Sequence, residues 1–170
     1  MITPVKPNIF QLHFRNFGSC VYVLKINNRN FLIDVSSKDA EQELLNDLRE
    51  LRIKPKDIDA VIITHNHYDH IGNFELFSNA KLYRAEELNE NSMILEMPEM
   101  KIIETPGHTP ESKCFLYEDI LFSGDTIFHK GGIGRTDFPG GDYKALMNSI
   151  EKLKKIKYKI LCPGHISNKN

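Results

Sequence analysis

The sequence predicts an α/β protein, a layered sandwich of mixed sheets with helices outside. Three observations predict it. Short apolar, β-branched runs alternate with two amphipathic helical stretches. Several successive runs are joined by links of hairpin length, so antiparallel and parallel neighbours mix. The chemistry-bearing residues cluster on loops just after the apolar runs.

The first third reads as strands at 9–13, 20–26 and 30–35, with Asn27-Asn28 as a turn between the last two. Ser37 or Asp39 is expected to cap a helix to about Leu51 that turns Leu44, Leu45, Leu48 and Leu51 inward. The run Asp59-Ala60-Val61-Ile62-Ile63-Thr64 reads as a buried strand. A short helix at 73–77 and a strand at 80–83 follow. Further strands are expected at 101–104, 114–117 and 120–123. A second helix spans about 143–156, burying Leu146, Met147, Ile150 and Leu153, before a last strand near Ile160. Residues 167–170 read as a loose tail.

At 170 residues the chain is expected to be one domain, 1–170, with room for a substantial core. Its apolar content of 41% and charged content of 26% exclude disorder. No apolar run approaches a membrane span, and a net charge of −1 argues against general nucleic-acid affinity. The first residues lack the apolar core of a signal peptide. Cys20, Cys114 and Cys162 are odd in number and form no close pair, so a reducing cytoplasm is the expected compartment.

Three histidines and an aspartate fall within His65-Asn66-His67-Tyr68-Asp69-His70. Imidazole nitrogen and carboxylate oxygen are ligands that zinc and iron prefer. Downstream, Gly107-His108, Gly124-Asp125 and Gly164-His165 each place a candidate ligand after a glycine, which permits tight or left-handed backbone. Seven ligands exceed one four-coordinate zinc and suit two metals that share a carboxylate. The expected arrangement puts His65, His67 and His108 on the first metal. Asp69, His70 and His165 hold the second, and Asp125 bridges them with a water. Asp69 and Asp125 are the expected catalytic carboxylates, although a one-metal site would leave Asp69 outside the ligand set. Two metals about 3.5–4 Å apart lower the pKa of the shared water, so no serine or cysteine triad is needed.

The segments Thr64 to His70, Thr105-Pro106-Gly107-His108-Thr109-Pro110, Ser123-Gly124-Asp125-Thr126 and Pro163-Gly164-His165 resemble the metallo-β-lactamase superfamily in order and spacing. The resemblance implies a four-layer αββα sandwich. The stretch Gly132-Ile133-Gly134-Arg135-Thr136-Asp137-Phe138 looks like the short glyoxalase II-like members, the hydroxyacylglutathione hydrolases. It implies a metallohydrolase that cleaves a small thioester by attack of a metal-bridging hydroxide. Two divalent ions are implied, zinc first, with iron or a zinc–iron pair as the alternative. Related persulfide dioxygenases carry a similar stretch. Their single iron would sit on His67, His108 and Asp125. A lactonase or a nuclease of the same superfamily is a further alternative. Full-length glyoxalase II carries a C-terminal helical domain that grips glutathione, and none is expected here. Glu111 stands where relatives commonly have glycine.

Arg135 and His129 are candidate substrate contacts. Arg135 is equally readable as a partner of Asp137, and His129 as an ordinary loop histidine. His13 and the lysines from Lys152 to Lys159 read as structural and solvated. The expected partner is a small thioester, with no nucleic acid or membrane, in a monomer or homodimer.

Overall fold

The computed structural model describes residues 1–166, so the tail reading at 167–170 lies outside the described residues. The chain divides into two compact units, Met1–Tyr83 and Arg84–Asn170, and each carries one mixed sheet.

In the first unit six strands run in the order β1 to β6. They are β1 (Ile2–Lys6), β2 (Ile9–Leu12), β3 (Val21–Ile26), β4 (Arg29–Ile33), β5 (Ala60–Ile62) and β6 (Lys81–Tyr83). The sequence reading missed β1, because Pro4 interrupts its apolar pattern. An edge strand tolerates that proline, since only one side of it pairs. Asn27 and Asn28 both take left-handed backbone (φ 52° and 61°), the geometry that matches a two-residue turn to strand twist. From β4 onward the pairing is parallel, so a helix must cross between strands. That helix is α1 (Glu41–Glu50), which buries Leu44 and Leu48 against a core containing Val61, Ile63 and Phe77. Leu45 and Leu51 lie half-buried at its rim.

The expected cap on α1 is not found. A single 3-10 turn, Lys38–Ala40, leads into the helix, and neither it nor α1 carries a side-chain cap. The Ser37 hydroxyl instead donates to the Phe17 carbonyl. Being buried, it is spent on a loop contact.

The second unit holds β7 (Lys101–Glu104), β8 (Lys113–Tyr117), β9 (Ile120–Gly124) and β10 (Ile160–Pro163), in the order β10-β9-β8-β7. The β9–β10 pair is parallel and is bridged by α3 (Tyr143–Leu153). Asp142 caps α3 by accepting from the Ala145 N–H at 3.0 Å. The buried residues of α3 are Leu146, Ser149 and Leu153, while Met147 and Ile150 are half-buried. The helix is rotated from the expected face because the Ser149 hydroxyl donates to the Pro106 carbonyl at 2.8 Å, drawing that side toward the turn. No described helix is long and apolar enough to cross a membrane.

Candidate metal centre

In the first unit β5 delivers the buried pair Ile63 and Thr64, after which the chain turns into His65. The ligand run is not wholly a loop. His67 sits at the N-cap position of α2 (Tyr68–Ile71), and that single helical turn carries Asp69 and His70. His65 and His70 are buried with ring centroids 4.0 Å apart. His65 Nε2 lies 3.2 Å from His67 Nδ1. Two imidazole nitrogens held at 2.0–2.1 Å by one tetrahedral cation would be about 3.3 Å apart, so the pair already has ligand spacing.

Asp34 organises this cluster, and the sequence reading missed it. It follows β4 in left-handed backbone (φ 56°), which aspartate tolerates better than most residues. Its Oδ1 accepts from the Thr64 N–H and its Oδ2 from the Thr64 hydroxyl, each at 2.8 Å. His70 Nδ1 lies 2.7 Å from the same Oδ2. A carboxylate oxygen accepts, so Nδ1 donates to it and Nε2 is the candidate ligand atom. Its sequence signal is weak: Asp34 closes the apolar run Phe31-Leu32-Ile33, as Asp125 closes Ile120-Leu121-Phe122-Ser123, but without a glycine before it.

In the second unit parallel pairing of β9 and β10 brings their C-terminal ends together. Gly164 N–H donates to the Gly124 carbonyl at 2.8 Å, which sets Asp125 and His165 side by side. Gly124 adopts the expected left-handed backbone (φ 48°), whereas Gly164 has no positive φ. Asp125 Oδ2 is 3.6 Å from His108 Nε2 and 3.5 Å from His165 Nε2. Both distances exceed a usual charge-assisted hydrogen bond of about 2.7–2.9 Å. They place one carboxylate oxygen between two imidazole nitrogens.

His108 is oriented from behind. Its Nδ1 donates to the Arg135 carbonyl at 2.6 Å, which makes Nε2 the candidate ligand atom of the neutral ring. That carbonyl can approach because residue 134 is glycine. A Cβ there would lie 1.8 Å from the Asp125 carbonyl oxygen and 3.2 Å from His108 Nδ1. The guanidinium of Arg135 points elsewhere. It forms a bidentate pair with Asp137 at 2.9 and 2.6 Å and lies 4.4 Å from the Phe138 ring centroid. His129 is exposed on a turn, where it borders a pocket with Phe128, Ile150 and Tyr158.

No disulfide links the three cysteines, all of which are buried. Burial pushes the Cys114 thiol up to about 11, so it is no nucleophile near neutral pH. All seven sequence-predicted ligands, and no other described His, Cys, Asp or Glu, fall in the groups able to hold a metal ion. Imidazole nitrogens with carboxylate oxygens fit zinc or iron.

The model of the metallo-beta-lactamase superfamily matches residues 15–85 and 79–165. A probable metallo-hydrolase of Methanocaldococcus jannaschii is 37% identical over 142 residues, covering 79% of this chain and 70% of that protein. A hydroxyacylglutathione hydrolase of Psychromonas ingrahamii is 28% identical over 130 residues, covering 66% of this chain and 50% of that protein. The matched region thus spans half the length of that hydrolase. Among solved structures, TTHA1623 in a di-iron-bound form superposes with a TM-score of 0.76 at 23% identity, covering 92% of each chain. That likeness shows the fold, two mixed sheets with helices.

Proposed function

Because this chain belongs to the metallo-β-lactamase superfamily and is a metal-dependent hydrolase, we propose that it cleaves a small thioester of the hydroxyacylglutathione type. His65, His67 and His108 hold one cation, Asp69, His70 and His165 hold a second, and Asp125 serves both. The observation that carries it is the single oxygen of Asp125 set between two imidazole Nε2 atoms at 3.6 and 3.5 Å. When bound, a pair of divalent cations would supply Lewis acidity and a water acidified to near neutral pH.

The residues of the chain then have distinct tasks. Asp34 and the Arg135 carbonyl hold the Nδ1 sides of His70 and His108 and so aim their Nε2 atoms. Asp69 and Asp125 offset positive charge and accept hydrogen bonds from the attacking water. In the reaction the water gives up a proton to solvent, a C–O bond forms at the acyl carbon, and the C–S bond breaks with its electron pair leaving on sulfur. A thiol of pKa about 8.5 departs as thiolate, so no obligatory proton donor is required. No additional acid is needed from Arg135, whose side chain is engaged with Asp137.

The test is purified protein, analysed for zinc and iron and assayed with S-lactoylglutathione. The expected result is about two ions per chain and metal-dependent hydrolysis. Asp125→Asn should lose both ions and most of the rate. One ion per chain with no turnover on any thioester would overturn the reading. Oxygen uptake with glutathione persulfide would move the assignment to the dioxygenase.

A further inference from the structure

Phe17 and Tyr68 are large aromatic residues left in water, 58% and 57% exposed. They are not scattered. Their rings stack at a centroid distance of 5.7 Å and an interplanar angle of 22°. Stacking covers one face of each ring, and the observed exposure means that apolar surface remains open on both. Tyr68 lies between His67 and Asp69 on α2. Its backbone therefore belongs to the ligand run, one residue from each of two proposed ligands.

The loop bearing Phe17 is fixed rather than loose. The Arg15 and Asn16 N–H groups donate to the two oxygens of Glu43, each at 3.0 Å. The Phe17 carbonyl accepts from the Ser37 hydroxyl. Ser19 N–H donates to the Asp69 carbonyl at 3.0 Å, which ties the loop to the ligand run itself. Gly18 packs so closely that a Cβ would lie 2.1 Å from Ser36 Oγ. On the other ring, the Tyr68 hydroxyl is hydrogen-bonded to Asp39. Two aromatic rings held in place at such cost to backbone freedom form a preorganised surface.

We propose that Phe17 and Tyr68 form a stacking platform for the acyl half of the substrate, and that the site prefers acyl groups carrying an aromatic ring. This rests on the hydrolase reading above. A ring on the acyl carbon would lie on the platform while its carbonyl faces the ligand run, with no charged contact required. Aromatic stacking beyond simple burial typically changes affinity up to about tenfold.

The test compares S-mandeloylglutathione with S-lactoylglutathione, which differ by phenyl in place of methyl on the same α-hydroxyacyl group. The wild type should favour the mandeloyl ester in kcat/KM. Phe17→Ala and Tyr68→Ala should each lower the mandeloyl-to-lactoyl ratio about tenfold, chiefly through KM. Phe17→Tyr, which keeps the ring, should restore it. A ratio unmoved by either alanine would overturn the platform. A second measurement needs no turnover: calorimetric titration of zinc-loaded protein with mandelate and with lactate. Tighter mandelate binding that Phe17→Ala abolishes would uphold the platform even if no thioester is hydrolysed, a result that removes the hydrolase reading alone. Thioester turnover with no such preference in either assay would remove the platform alone.

Discussion

Asp34 shows how one residue prepares several others. Its carboxylate is buried and accepts from Thr64 twice and from His70 once. Asp34→Ala would strand the Thr64 N–H and the His70 Nδ1–H in the interior. Leaving such groups unsatisfied costs about 1–3 kcal/mol each, so a loss of about 2–4 kcal/mol is expected in urea unfolding of the metal-free protein. Zinc affinity should also drop about 10–100-fold, because His70 loses the partner that sets its tautomer. Unchanged stability and unchanged affinity would show that Asp34 does not orient His70. The candidate ligands were legible because histidine-rich runs and Gly-His or Gly-Asp pairs are unusual local patterns. Asp34 was not, because one acid after a strand is ordinary until its partner 36 residues away is known. His108 repeats the lesson with a backbone carbonyl, Arg135 O, which has no sequence signature.

Among elements, α3 and the loop ahead of β3 do the most positioning. Asp142 N–H donates to the Gly107 carbonyl at 2.8 Å, and a Cβ on Gly107 would lie 2.3 Å from the Leu146 backbone. Gly107 also has positive φ, 142°. Gly107→Ala should therefore push α3 away from the His108 turn and lower the melting temperature by several degrees, in line with a cost of about 2 kcal/mol or more. An unshifted melting curve would show that the turn relaxes freely. The loop at 13–20 carries a pH dependence. The Glu43 carboxyl is held below its ordinary value, first by the hydrogen bond from Arg15 N–H. A lowered native pKa gives stabilisation present above the unfolded value, about 4.3, and lost as pH falls through the native value. Hydrogen exchange at the Arg15 and Asn16 amides, corrected for intrinsic rate, should speed up as the pH falls below about 4. Glu43→Gln should flatten that dependence, and an identical profile in the variant would exclude Glu43 as its source. Expected and observed elements agree where periodicity is strong, as at β7, β8 and β9. They differ at β1 and at the start of α1, where edge pairing and a buried serine override local preference.

For the whole molecule, the proposed metal site makes metal part of stability. A ligand that binds only the native state stabilises by RT ln(1 + [L]/Kd), about 2.7 kcal/mol at a hundredfold excess over Kd. Chelator treatment should thus lower the melting temperature by several degrees, and added zinc should restore it in a concentration-dependent way. A melting temperature indifferent to both would refute a high-affinity site. Residue types and their spacing were enough to establish the α/β class, most strands and the full set of candidate ligands, since each of these leaves a local imprint within a few neighbours. Long-range pairing alone established that Asp34 faces His70, that the Arg135 carbonyl rather than its guanidinium meets His108, and that Asp125 and His165 leave adjacent strand ends. Those partners are joined by backbone path and sheet register, and hydrogen bonds between distant segments leave no periodic trace along the chain.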